Sequence, residues 1–318
     1  MTVLVLAPER DPTADRMVRE LGRREVPVVR LDTAWFPDTV RLDADLASAA
    51  WDGTLRVRDR VVRLGDVRSV WYRSSSAFGL PSSLTPVERQ WASTEGKLGL
   101  GGVLGSLPVL WVNHPARVAD AAVKPAQLVA AVRCGLAVPH TLITNDAEAV
   151  RRFARGGAVV NKALGAPSVV EAARRATVFT HLLGEADLAD LRGVEITTHQ
   201  FQRWVSKAHE ARVVVVGERI FTAGIHAGSA ETRVDWRAAY CDLAYSRPAL
   251  PDDVRHGLVR YCREFGLAYG AFDLVVTPDG GWVFLECNAN GQYGWIEDAI
   301  GAPITAAIAD LLMAGRTP

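Results

Sequence analysis

The chain has 318 residues, 49% hydrophobic and 23% charged, and its 36 basic and 36 acidic residues give a formal net charge of zero. This is a globular composition, with core material for one large domain or two to three smaller ones, and it excludes a disordered chain. No global basic field favours nucleic acid or an anionic membrane; the longest uncharged stretch, 98–116, is broken by glycines and prolines, and the N-terminal apolar run is too short for a secretion signal.

Thr2–Ala7 reads as a buried strand, Pro12–Arg24 as a helix opened by Asp11-Pro12, and Val26–Leu31 as the next strand. This β-α-β opening is Rossmann-like but carries no GxGxxG, which argues against a dinucleotide site. Thr54–Val57 and Val61–Leu64 alternate as a hairpin. Val70–Tyr72 is a buried strand ending at Arg73, Ser83–Leu104 a long helix, and Val109–Val112 a strand ending at the Asn113-His114-Pro115 turn. Two helices follow, the second being Lys124–Cys134. Then come strand Thr141–Ile143, helix Asp146–Arg155 with Asn145 as candidate N-cap, strand Ala158–Lys162, a small-residue loop at 165–168, and strands Thr177–Leu182 and Ile196–Phe201. In the last third, Ala211–Val216 pairs with Ile220–Ile225, Asp252–Phe265 is a helix, Ala268–Thr277 pairs with Trp282–Cys287, and Ile304–Met313 is a final helix. The expected fold class is α/β in three units: 1–115, 116–205 and 206–318.

The second hairpin is the most informative feature. Pro278-Asp279-Gly280-Gly281 is a strong turn signal. If Thr277 pairs with Trp282, Asp273 lies opposite Glu286, and Asn288 shares their face. The other face then reads Phe272, Leu274, Val276, Val283, Leu285 and Cys287, which is core. Two carboxylates side by side repel, and a hard cation such as Mg²⁺ resolves the repulsion. The alternative is an incidental Asp–Glu pair on a solvated face, against which stands the continuation of the polar cluster through Asn290.

Two further groups carry weaker signals. Gln202-Arg203-Trp204-Val205 ends one strand and Glu210 opens the next. Such a connection can offer backbone groups to an adenine edge and a carboxylate to ribose, although an interdomain linker would read the same. Of the 36 basic residues only four are lysine: Lys97, Lys124, Lys162 and Lys207. Where arginine does the routine surface work, a retained lysine marks a site for a compact point charge, of the kind that binds phosphate, or else a chance survivor. Lys162 ends a buried strand, Lys124 starts a helix, and Arg212 sits among apolar residues and needs an anionic partner. The four cysteines (Cys134, Cys241, Cys262, Cys287) have neither CxxC nor zinc spacing and read as reduced thiols of a cytoplasmic protein.

In order and spacing, Lys124, Lys162, Gln202-Arg203-Trp204-Val205, Glu210 and the set Asp273, Glu286 and Asn288 resemble the ATP-grasp superfamily over His114 to the C-terminus. Val70-Trp71-Tyr72-Arg73, Asp235-Trp236-Arg237 and Phe284 through Tyr293 resemble the graspetide, or microviridin-type, ligases, whose usual Val and Pro are replaced here by Cys287 and Ala289. The resemblance implies an ATP-grasp fold of two α+β subdomains gripping ATP, preceded by a Rossmann-like domain. It also implies a cytoplasmic ligase that uses ATP and Mg²⁺ to cross-link an acidic ribosomal precursor peptide through an acyl-phosphate. Lys124, Lys162, Gln202 to Val205, Glu210 and Asn290 are then expected to bind ATP, with Asp273, Glu286 and Asn288 binding Mg²⁺. Arg212 and Lys162 are expected to act on the transferring phosphoryl group, Arg73 and Arg237 to bind substrate, and a homodimer is expected on family grounds alone. Two other functions suit the same residues: a ligase of small amino or carboxylic acids, and a non-catalytic nucleotide binder, which the intact metal set disfavours.

Overall fold

The computed structural model describes residues 1–316 apart from 48, 166–167, 172–173 and 178. The chain begins β1 (Thr2–Leu6), α1 (Pro12–Arg23), β2 (Val28–Leu31), β3 (Val40–Asp45), β4 (Asp52–Val57), β5 (Arg60–Arg63), β6 (Val67–Tyr72), α2 (Pro86–Gly105) and β7 (Leu110–Val112). The middle runs α3 (Pro115–Ala121), α4 (Lys124–Arg133), β8 (Thr141–Thr144), α5 (Ala147–Ala154), β9 (Val159–Lys162), β10 (Ser168–Glu171), β11 (Arg174–Thr177), β12 (His181–Leu182), α6 (Glu185–Ala189) and β13 (His199–Arg203). The last third is β14 (His209–Val216), β15 (Arg219–Ala227), α7 (Ala230–Val234), β16 (Leu243–Ser246), α8 (Asp252–Glu264), β17 (Tyr269–Val276), β18 (Trp282–Asn288), α9 (Gly294–Ile300) and α10 (Ile304–Ala314).

Local chemistry explains several boundaries. Asp11 caps α1 by accepting the Ala14 N–H, with Pro12 at the first helical position. The long second helix starts at Pro86 rather than Ser83, because Thr85 and Glu88 form a reciprocal capping box. Asp146, not Asn145, caps α5. The expected strand Thr177–Leu182 is two short strands, with residue 178 outside the described set, and β13 starts only at His199 because Arg192–Ile196 is a 3-10 turn. Of the expected small-residue loop, Ala166 and Pro167 lie outside the described residues.

The strands form a parallel sheet in the order β2-β1-β6-β7, an antiparallel sheet β3-β4-β5, a four-stranded antiparallel sheet β12-β9-β13-β8, the pair β10-β11, and a five-stranded antiparallel sheet β16-β15-β14-β17-β18. One face of the parallel sheet packs Leu4, Leu31 and Val70 against α2 and the small sheet. Its other face packs Val3, Val5 and Trp71 into a core shared with Val214, Tyr269, Ile296, Ile304 and Ile308. The first 115 residues therefore do not own their core: α10 covers their sheet, and Ser69 Oγ donates to the Leu312 carbonyl at 2.8 Å.

The far face of the five-stranded sheet packs Val213, Val215, Phe272 and Phe284 against Leu258 and Tyr261 of α8 and Ala130 and Ala131 of α4. Along β14, alternation splits the near face in two. Val214 and Val216 enter the shared core, while Glu210 and Arg212 line a cleft. No helix among the described residues is long and apolar enough to cross a membrane.

Candidate active site

The β17-β18 hairpin brings Asp273 opposite Glu286, as expected, but by a different route. Thr277 leaves the ladder to make the turn, donating its N–H to the Gly281 carbonyl at 2.8 Å, so Val276 pairs with Trp282. A bulge between Asp273 and Leu274 then shifts the register by one and restores the Asp273–Glu286 pair. The bulge also corrects the core face. Phe284, not Leu285, is fully buried opposite Leu274, and Leu285 and Val275 turn to the cleft.

The cleft is a cavity of about 690 Å³ between the four-stranded and five-stranded sheets. Lys124, Lys162, Arg212 and Arg237 line it together with Glu210, Asp273, Glu286 and Asn288. Asp273 Oδ1 accepts from Arg212 at 2.8 Å, and both side chains are about 5% exposed. One Arg237 nitrogen lies 2.9 Å from Asp273 Oδ2 and 3.1 Å from Glu286 Oε1, with the guanidinium 4.8 Å from the Trp236 ring centroid. Lys124 Nζ is 3.2 Å from Glu286 Oε2 and donates to the Ala163 carbonyl at 2.6 Å. Asn288 Nδ2 is 3.4 Å from Asp273 and 3.5 Å from Glu286.

Burial alone would raise the Glu286 carboxyl, but Lys124, Arg237 and Lys162 outweigh it and hold the pKa at about 2. At Glu210 burial wins: its pKa is raised although Lys207 donates to it. Burial likewise lowers Lys162, against the pull of Glu286 and Glu210. Two carboxylates and a carboxamide form a hard, oxygen-rich set, and the Arg237 guanidinium stands between both carboxylates where a cation would neutralise them. These residues fit Mg²⁺.

Residues 2–119 match the family model of the MvdD pre-ATP grasp domain. Across the chain, the fold is similar to that of macrocyclase MdnC bound with precursor peptide MdnA from Microcystis aeruginosa MRC. The two share 30% identity at a TM-score of 0.86, over 99% of this chain and 100% of that one. The chain belongs to the graspetide-type ATP-grasp ligases. A Chryseobacterium gregarium RiPP-associated ATP-grasp ligase, in complex with ADP and a leader and core peptide, is similar at 25% identity and a TM-score of 0.90, over 99% and 97% of the two chains. Macrocyclase MdnB from Microcystis aeruginosa MRC is similar at 30% and 0.80, over 99% of each. No curated protein matches the sequence.

Not every expected residue of this ligase meets the cavity through its side chain. Arg203 turns away, donating to the carbonyls of Gly157 at 2.7 Å and of Phe153, so only its backbone is available to a nucleotide. Gln202 is buried, with its Nε2 donating to Thr141 Oγ1 at 3.0 Å. Trp204, Val205 and Asn290 border the cavity. Arg73, expected to bind substrate, does not line it. Arg73 is 6% exposed, donates to the Asn290 carbonyl at 2.7 Å and sits 3.6 Å from Asp11. It braces the segment after the metal set from behind. Sequence reasoning did not assign Lys207, although three of the four lysines reach the cavity and lysine scarcity would have found it. Gln292, also on the lining, was marked only as part of the Phe284–Tyr293 stretch, and Trp295 carried no signal.

Proposed function

We propose that this ligase uses ATP to activate a side-chain carboxylate of an acidic ribosomal precursor peptide and joins it to a Ser or Thr hydroxyl or a Lys amine of the same peptide. The observation that carries the reading is the convergence of Asp273, Glu286 and Asn288 with Lys124, Lys162, Arg212 and Arg237 on one cavity. It occurs in a chain 30% identical to a precursor-bound macrocyclase.

ATP enters with its adenine along the backbone of Gln202 to Val205 and its ribose toward Glu210. Asp273, Glu286 and Asn288 would hold Mg²⁺, whose charge would offset that of the phosphates during transfer. Lys124 and Lys162 meet the phosphates as point charges. The substrate carboxylate attacks the γ-phosphorus, the bond to the ADP oxygen breaks, and an acyl-phosphate forms. Arg212 and Lys162 stabilise the transferring phosphoryl and the acyl-phosphate oxygens. Arg237 orients the incoming carboxylate. The hydroxyl or amine then attacks the acyl carbon, releasing phosphate and a proton, so each cross-link costs the peptide one water. Arg237 faces three carboxylates, Asp235, Asp273 and Glu286, and the cavity adds Lys124, Lys162 and Arg212 as basic side chains for phosphates and an acidic peptide.

The division at 1–115, 116–205 and 206–318 is supported by the separate sheets of each unit. A homodimer is supported by α2, which exposes Val87, Trp91 and Leu98 on one face. Free cysteines and ATP use fit a cytoplasmic setting. The test is the intact mass of an acidic, Ser/Thr/Lys-containing precursor peptide incubated with enzyme and Mg·ATP. Loss of whole water masses, dependent on ATP and absent with Glu286→Gln, is expected. ADP release driven by a small amino or carboxylic acid, with the peptide unchanged, would overturn the peptide reading.

A further inference from the structure

β18 is the edge of its sheet, and its outer side at Cys287 is covered by a side chain rather than a strand. Gln127 Oε1 accepts the Cys287 N–H at 2.9 Å, and its Nε2 donates to the Cys287 carbonyl at 3.0 Å and to the Ala121 carbonyl at 2.6 Å. The carboxamide thus pairs with both backbone groups of one residue, as a neighbouring strand would. Gln127 is 3% exposed, and its Oε1 and Nε2 both have partners.

Cys287 lies between Glu286 and Asn288, one residue past the bulge. The ladder to β17 breaks at Leu285 and resumes with Asp273–Glu286 and Phe272–Cys287, so the metal-set segment begins directly on the bulge and its outer edge needs a separate hold. Lys124, three residues before Gln127 on the same face of α4, meets the Glu286 carboxylate itself. One helix therefore grips the backbone between two metal ligands and the side chain of one of them. Further along, Asn113 donates to the Ala289 carbonyl and Tyr269 Oη to the Gly291 carbonyl, each at 2.7 Å, which fixes the exit of the segment but not its pleat at 287.

We propose that Gln127 is a positioning residue that sets the spacing of Glu286 and Asn288 for the metal; this rests on the metal set proposed above. An outer contact that orients a ligand commonly changes metal affinity about 10-fold or more when removed. The test is the Kd of the full chain for a fluorescent ADP analogue, measured with EDTA and then across a Mg²⁺ titration. Gln127→Met keeps length and volume but removes all three hydrogen bonds. It is expected to raise the Mg²⁺ half-saturation about 10-fold and to leave the Kd in EDTA unchanged. Gln127→Glu, which keeps the acceptor for the Cys287 N–H but turns a carboxylate oxygen toward the Cys287 and Ala121 carbonyls, is expected to shift the same quantity at least as far, and it is the second variant if the methionine one fails to fold. Glu286→Gln is the control. If it weakens the Mg²⁺ dependence and neither Gln127 variant does, the positioning role is wrong and the metal set stands. Equal weakening with and without Mg²⁺, alongside a lower Tm, would mean a general packing role and would also overturn the proposal. A Glu286→Gln protein with unchanged Mg²⁺ dependence would remove the metal set and the role of Gln127 together.

Discussion

Replacing Asp273 with alanine does more than remove a metal ligand. Asp273 is the only carboxylate paired with Arg212 among the described residues, and Arg212 is otherwise held by the Gln292 carbonyl at 3.3 Å, with its Nε lacking a partner. Both side chains are almost fully buried. Breaking such a pair from one side leaves an uncompensated charge in the interior and costs about 3–5 kcal/mol. Arg237 also loses one of its carboxylates and is left closer in charge to Arg212. At about 2–3 °C per kcal/mol for a chain of this size, Tm should fall by roughly 6–15 °C. Adding Arg212→Met removes the stranded charge, so the double variant should regain most of the lost Tm while remaining inactive. Thermal melts of the three proteins, followed by circular dichroism, decide the matter. An Asp273→Ala protein that melts within about 2 °C of the parent, or a double variant no more stable than the single one, would refute this account of the pair.

Glu286→Gln is the cleaner probe of function, since Glu286 is partly exposed; it should fold, bind nucleotide and lose peptide turnover, as read by ADP release. The pKa of Glu286 is depressed in the folded state, so its contribution to stability is full above about pH 4.5 and is lost as pH falls toward 2. Glu286→Gln should therefore flatten the acid limb of a stability-against-pH curve, and an unchanged limb would contradict the depressed pKa. Because burial lowers the pKa of Lys162, acetic anhydride at moderately alkaline pH should acetylate it readily, with Mg·ATP protecting it but not the exposed Lys97; peptide mass mapping reads both sites. Trp91→Glu on α2 should convert a dimer to a monomer by light scattering without loss of fold, and a parent protein that is already monomeric would sink the dimer.

The facing of the two carboxylates was reached through a ladder extended one rung too far at the turn, an offset the bulge cancels; the hairpin itself was legible from its turn signal and two-residue alternation. The bulge was not. It depends on Thr277 folding its hydroxyl onto Asp279 and the Gly281 carbonyl, a local choice that competes with one more rung of the ladder. The strand–helix alternation of the first 112 residues could be read from apolar runs, except that β3 went unread. β16 and α9 could not, because β16 takes its face from β15 and α9 packs on β16, which is distant from it in sequence. Arg73 shows a third limit. Sequence locates the backbone of an arginine, but its long side chain can swing to either side, and here it turns to the Asn290 carbonyl and Asp11 without lining the cavity. The lysines were more informative: three of the four line the cavity, and only Lys97 is exposed elsewhere.

The shared core has a consequence for how the chain comes into being. During synthesis the first parallel sheet emerges long before α10, yet α10 supplies the apolar surface that seals Val3, Val5 and Trp71. Until α10 has left the ribosome that face is only partly covered, so the nascent parallel sheet must wait, sticky on one side, for an element made long after it.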